Sequence, residues 1–544
     1  MASHNLLKDK LIRFENGQGV ERASLAEVFA ALMADRVESF PPLRAHQWPA
    51  WHMFLAQLGA IAAHRAGLSE PPQTAAEWER IIGALTRSEF PEDEPWCLVV
   101  DDWKKPALLQ PPVPEGVTLE KRAATPDALD MLITSRNHDL KQSIAAEAEL
   151  DDWLFALVSL QTMEGYGGPK NYGIARMNGG SSSRVLMGLA PLLTTASDVA
   201  LRPGPWLKRD ITQLLVRRDA LLHKTPVGYS STHALTWTAP WPEGEQLGLD
   251  ELDILFIEVC RRVRLGLDGA GRMIAAAVGN SSAERISAKR LKGVLGDPWA
   301  PTHRTDAKAL TIGDEGRFHY KRVVELLFSD DWQLPLLAEL GESETNEVAN
   351  WLLVLAAIAR GNAKTGGFQS RALPLKGLEA QSLGARRQEL HELAQAIIKE
   401  IEKLDGVLRD ALVLAVAGGD AEKITRDNYA HTQPYHDRLN AVADRAFFPA
   451  LWARFEAEQT GKPADVEEAR RAFLLPLIET ARRLLEEALA DIPCRSIHRP
   501  RAEARARRRF EGLLRSEKKG FPGLFTDAAD DVAADTDQET AHAE

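Results

Sequence analysis

The hydrophobic pattern changes character near residue 384. Beyond it, "RRQELHELAQAIIKEIEKLDGVLRDALVLAVAG" places Leu390, Leu393, Ile397, Ile401, Leu404 and Leu408 three and four positions apart, a spacing that gathers them on one helix face. "YHDRLNAVADRAFFPALWARFEAEQ" and "DVEEARRAFLLPLIETARRLLEEALADI" repeat the habit, and a basic run across 499–518 supplies a fourth helix. Asp465, with Glu468 three residues on, is placed to cap the third. Four amphipathic helices with short connections predict a four-helix bundle over 384–519.

Before that point the pattern is mixed. "NLLKDKLIRF" reads as a short strand and "LAEVFAALM" as a helix. "FPPLRAHQWPAWHMFLAQLGAIAAHRAG" opens on a proline turn and continues as a helix, with Trp51, Phe54, Leu55, Leu58 and Ile61 at helical spacing. Residues 96–117 interleave apolar runs with prolines, which favours extended structure. Residues 127–163 read as two helical pieces interrupted near "TSRNHDLKQS". "GGSSSRVLMGLAPLL" leads into a strand or a buried helix, and periodicity leaves both open. "TIGDEGRFHYKRVVELLF" has hairpin-like punctuation, and "ETNEVANWLLVLAAIARGN" reads as a helix ending at Gly361 or Asn362. A linker is expected within 365–385. The fold class is therefore α+β: a large mixed α/β domain over 1–375, then the bundle, then an acidic tail over 526–544 expected to be disordered.

Composition changes this picture little. The chain has 544 residues, 44% hydrophobic and 26% charged, as an ordinary globular protein does. No apolar run approaches the roughly 20 residues that span a bilayer, and the first residues show no signal-peptide core. Cys97, Cys260 and Cys494 are too far apart for a metal motif and suit reduced thiols in a cytoplasmic protein. Charge is more telling. The net value of −12 argues against a protein that coats nucleic acid unaided, but residues 495–519 hold ten Lys and Arg against three Glu. Residues 526–544 hold seven acids and no Lys or Arg. Such blocks suggest a basic segment partly shielded by its tail.

The decapeptide "EGYGGPKNYG", residues 164–173, holds four glycines and a proline directly after a helical run. Glycines there allow another molecule to approach the main chain. The cluster is not a P-loop, because Lys170 lies at the wrong distance from Gly168 and Asn171 stands where Ser or Thr would bind magnesium. No strand leads into it as a dinucleotide fingerprint needs. His46, His52 and His64 suit capping and surface roles better than metal binding. The pairs Asp151–Asp152 and Asp330–Asp331 suit helix caps or solvated faces. There is no G-x-S-x-G and no Cys/His nucleophile context. A binding or assembly subunit, not an enzyme, is the leading class.

Taken in order, "NLLKDKLIRF", "FPPLRAHQWPAWHMFLAQLGAIAA", "LLQPPVPEG", "GYGG", "GGSSSRVLMGL", "KGVLGDPWAPT" and "RAFFPALW" resemble the CasA family over nearly the full chain. CasA is the large subunit of the type I-E CRISPR surveillance complex, Cascade. The resemblance implies a non-catalytic subunit that reads a short flanking motif (the PAM) on double-stranded DNA and helps open the duplex. Some members of the family carry a cysteine cluster in the middle region that looks metal-binding; this sequence lacks it, and no metal or cofactor is expected. It implies as partners the other Cascade subunits, the CRISPR guide RNA and a recruited helicase–nuclease, in antiviral defence. Base pairing with the guide then reads the rest of the target. By the same resemblance the glycine loop falls on Gly165, Tyr166, Gly167 and Gly168, and a lysine finger on Lys289 or Arg290, with Arg285 and Lys292 competing. A wedge falls on Asn362 and Ala363, where the family pattern has a glutamine, and a guide-RNA docking loop on Arg136, Asn137 and Lys141. Arg501, Arg505, Arg507, Arg508 and Arg509 form a basic patch suited to phosphates. An enzyme holding a phosphate-bearing ligand at the glycine loop, or a scaffold without DNA contact, are the alternatives.

Overall fold

A computed structural model of the chain describes residues 2–129, 148–194, 199–223, 225, 227–267, 273–313, 316–345, 350–361, 364–492 and 494–525. The chain divides into two compact units, Met1–Phe318 with Glu325–Ala385, and His319–Val324 with Arg386–Glu544.

In the first unit, helix α1 (Leu25–Met33) starts on a capping box: Ser24 Oγ accepts from Glu27 N, and Glu27 accepts from Ser24 N at 2.8 Å. Helix α2 (Trp48–Arg65) is buried at every residue from Pro49 to Ala63. It is a central core helix rather than an amphipathic surface one, which corrects the surface role expected for His52. His52 is buried, its Nε2 lies 2.9 Å from Asp210 Oδ2, and its ring stacks on Trp206 at 3.8 Å. His46 is buried too, and only His64 is exposed. Helix α3 (Leu150–Met163) packs on α2, with Phe155 edge-on to Trp51 at 5.0 Å. Of the acidic pair at its start, Asp152 caps Glu149 N at 2.8 Å while buried Asp151 pairs with Arg13 at 2.7 Å.

The stretch for which periodicity allows strand or helix is strand β1 (Leu186–Thr194), followed by β2 (Val199–Leu201) and helix α4 (Pro203–Val216). Strands β3 (Leu252–Ile257), β4 (Arg262–Leu267) and β5 (Met273–Gly279) come next, β4 and β5 pairing antiparallel. Within the segment with hairpin-like punctuation, Tyr320–Phe328 is helix α5, whose residues up to Val324 belong to the second unit.

The largest correction concerns "NWLLVLAAIARG". It is not a helix but strand β6 (Asn350–Gly361), paired antiparallel with β7 (Lys364–Lys376). Together they make a four-stranded antiparallel sheet in the order β7, β6, β1, β2. Residues Trp351 to Ala359 are all buried. A strand covered on both faces shows an unbroken apolar run, which periodicity does not separate from a buried helix. The expected linker at 365–385 is therefore most of β7 and a helix, Gly377–Ala385.

Among the described residues the second unit holds four long helices: α6 (Arg387–Val416), α7 (Gln433–Gln459), α8 (Pro463–Asp491) and α9 (Arg499–Leu514). Helix α6 packs against the other three. Its buried face includes Leu390, Leu393, Ile397, Ile401, Leu404 and Leu408, the stripe the sequence spacing selects. Helix α8 begins at Pro463, before the expected cap at Asp465. Proline is pre-shaped for the first helical turn, and Asp465 lies inside that turn.

Candidate functional site

Helix α3 stops at Glu164, whose backbone turns extended at φ −73° and ψ 132°. Gly165 N then donates to Ser182 O at 3.0 Å and Tyr166 N to Gly180 O at 2.9 Å, so the loop lies against the returning "GGSSS" segment. A Cβ at Gly165 would sit 2.3 Å from Ser182 O and 2.4 Å from Gly180 O, so only glycine fits this crossing. At the tip, Gly167 N donates to Asn171 O and Asn171 N to Gly168 O, both at 2.9 Å. Gly168 has φ +118° with nothing within 4 Å of a Cβ position. The cluster thus has two jobs: Gly165 lets two backbones touch, and Gly168 at the tip leaves main chain open to approach, while Gly167 lies close to Arg261.

The loop forms one wall of a cleft of about 600 Å³. Tyr166 and Tyr172 line it, their rings 6.3 Å apart. Glu284, Lys289 and Lys292 line it from another segment. Lys289 opens a single helical turn, is 81% exposed, and meets Glu284 at 3.5 Å. Lys292 is exposed and forms no salt bridge among the described residues. Arg290 is exposed but is not part of the lining. Arg285 does line the cleft, but it is buried and donates to the carbonyls of Thr236, Ala239 and Pro240. Burial lowers its pKa to about 10. Glu258 lines the floor and accepts from Ala175 N at 2.9 Å, and burial raises its pKa. The structure therefore brings Gly165, Tyr166 and Lys289 together at one cleft, with Lys292 and Tyr172 beside them.

Beneath the loop, Glu164 Oε1 accepts from Arg360 Nη1 at 2.9 Å. Its Oε2 lies 2.7 Å from Arg261 Nη2, close enough for an ion pair but not aligned as a hydrogen bond. Arg261 also donates to Tyr172 O. No local motif marks this trio, because its members are far apart in sequence. Asn362, Ala363, Arg136, Asn137 and Lys141 lie outside the described residues.

The basic patch on α9 is largely engaged by its own unit. Arg501 Nε donates to Gly418 O at 3.1 Å and Arg505 Nη1 to Gly419 O at 2.7 Å, just past the C-terminus of α6. Cations there complement the helix dipole. Arg507 pairs with Glu486 at 2.7 Å, and Arg509 meets Asp410 at 3.8 Å. Arg508 is exposed and has no such partner among the described residues.

Burial raises the thiol pKa values of Cys97 and Cys260 to about 12, far from those of reactive thiolates. Among the described residues no group of His, Cys, Asp and Glu is arranged to hold a metal ion. No described helix is long and apolar enough to cross a membrane.

The fold is that of the CasA, or Cse1, proteins. CasA of Thermus thermophilus matches with a TM-score of 0.60 and 16% identity, over 94% of this chain and 99% of its own. Cse1 of Acidimicrobium ferrooxidans matches at 0.59 and 13%, covering 94% of this chain and 98% of its own. Cse1 of Thermobifida fusca matches at 0.59 and 15%, with the same shares. No family model matches the sequence, and no curated protein matches it by sequence.

Proposed function

We propose that this chain is the large subunit of a type I-E CRISPR surveillance complex and reads a PAM on duplex DNA at the cleft beside the glycine loop. The observation that carries the proposal is that the glycine loop, through Gly165, Tyr166 and Pro169, lines the same cleft as Lys289 and Lys292. A minor groove is only about 6 Å wide. Backbone without side chains can enter it, while lysines beside it neutralise phosphates and release counterions. The CasA fold over 94% of the chain supports the same reading. In the assembly, recognition of the PAM precedes local opening of the duplex, and guide-RNA pairing extends from there. The chain contributes no catalytic group of its own, and the assembled complex recruits a helicase–nuclease to the opened DNA.

The test is duplex binding by a guide-loaded Cascade core, with and without this chain, at fixed salt. Adding the chain is expected to create a preference for a target with its PAM over one with the PAM scrambled. Equal affinity for both targets would overturn the proposal. Thermal stabilisation of the isolated chain by a nucleotide would point instead to a phosphate-ligand enzyme.

A further inference from the structure

Glu164 is the last residue before the glycine loop, and it is 7% exposed. Its carboxylate touches two arginines from distant parts of the first unit. Arg360, at the outer end of β6, reaches one oxygen at 2.9 Å, and Arg261 approaches the other at 2.7 Å. Arg261 is itself buried, and it donates to Tyr172 O, near the end of the loop, and to Cys260 O at 3.0 Å. One carboxylate therefore ties together the start of the loop, its far end and the outer part of β6. Burial opposes the charge on Arg261, yet Glu164 holds its pKa above the ordinary arginine value. The backbone continues the connection: Ser182 Oγ donates to Ile358 O at 3.1 Å, and Ile358 N donates to Ser183 Oγ at 2.7 Å. Two arginines around one carboxylate also leave a surplus positive charge under the loop.

Resting on the functional reading above, we infer that Glu164 is a positioning residue of the DNA site, which with Arg261 and Arg360 fixes the glycine tip relative to β6 and so sets discrimination between PAM and non-PAM duplexes. The surplus charge makes this separable from a simple electrostatic role. Removing the negative charge at Glu164 raises the positive charge under the loop. Coulomb attraction alone would then strengthen binding to any duplex. A positioning role predicts the opposite for the PAM target.

The experiment uses the guide-loaded complex with E164Q and, separately, R360K, measuring Kd for PAM and scrambled duplexes at one salt concentration. E164Q is expected to reduce the PAM preference about tenfold, as loss of coupling between touching groups does, with scrambled-target affinity unchanged or raised. R360K keeps the charge but loses the planar fork, and is expected to reduce the preference by a smaller factor. Should E164Q fail to assemble, R360K decides by the same ratio. A preference unchanged in the assembled variants, or a parallel loss of affinity for both targets, overturns the inference. A wild-type complex without any PAM preference overturns the functional reading first, which distinguishes the two failures.

Discussion

Along α9 most of the arginines are bound to the protein itself, whereas Lys289 and Lys292 line a cleft with little to hold them. Arg501 and Arg505 sit on the carbonyls of Gly418 and Gly419, Arg507 on Glu486 and Arg509 near Asp410. Lys289 has only Glu284 at 3.5 Å, and Lys292 has no salt bridge among the described residues. Density of positive charge in a sequence is therefore a poor guide to its availability. An arginine already paired must give up its partner before it can bind a phosphate. A lysine in water gives up only hydration.

The largest effect that would sharpen this contrast lies in the loop opposite those lysines. Gly165→Val is expected to destabilise the first unit by about 2–3 kcal/mol, as forced overpacking does, because its Cβ meets two carbonyl oxygens. PAM preference should vanish with the loop. Gly168→Asp meets no neighbouring atom but forces a side chain onto φ +118°, so it is expected to cost about 1–3 kcal/mol of stability and, in the folded complex, to abolish the preference by setting a carboxylate against the groove. Retained preference in Gly168→Asp would detach the tip from DNA reading.

Next in size is the pair Lys289→Ala and Lys292→Ala. The double variant is expected to melt like the wild type while DNA affinity falls. The log–log salt slope should flatten by about 0.9 for each phosphate no longer neutralised. Arg501→Ala with Arg505→Ala should behave in reverse. Each removes a charge-assisted hydrogen bond at a helix end, worth about 1–2 kcal/mol, so the melting temperature falls while the salt slope holds. Thermal melts and salt titrations of both variants settle the contrast. If the arginine variant changes the slope and the lysine variant does not, the two regions have been assigned the wrong way round.

The sequence carries some of this and hides the rest for identifiable reasons. The buried stripe of α6 is legible because a helix with one covered face leaves a three–four spacing. Strand β6 reads as a helix because both its faces are covered, which erases the alternation that identifies strands. The glycine loop is legible as a place where backbone is exposed or crossed. Which glycine does which depends on Ser182 and Gly180, residues that composition does not connect to it. Arg285, Lys289, Arg290 and Lys292 look alike in sequence. Only the tertiary path of the chain buries the first, leaves the third outside the cleft lining and sets the two lysines beside Tyr172 in the cleft. The trio of Glu164, Arg261 and Arg360 is scattered too widely along the chain to leave a local pattern. Arginine density in α9 is plain, but its pairing with Glu486, Asp410 and the α6 terminus is not.

The smallest expected effect comes from the acidic tail, residues 526–544, with seven acids and no Lys or Arg. A tail that masks a free basic patch would, on deletion, raise non-specific DNA binding strongly. If most arginines of α9 are already paired, the tail has little left to mask beyond Arg508 and the solvated field of the helix. Screening at physiological salt confines that field to about 8 Å. Deleting 526–544 is therefore expected to raise affinity for a scrambled duplex only about twofold, because exposed charges beyond that distance are largely screened. Arg508→Ala in the deleted chain should remove most of that gain. Filter binding of the assembled complex at two salt concentrations measures both. A rise of about a hundredfold on deletion, far beyond what screened charges give, would mean that the arginines leave Glu486 and Asp410 for phosphate when the tail is gone, and that the pairing seen in α9 is a closed state of a DNA-binding surface rather than its fixed structure.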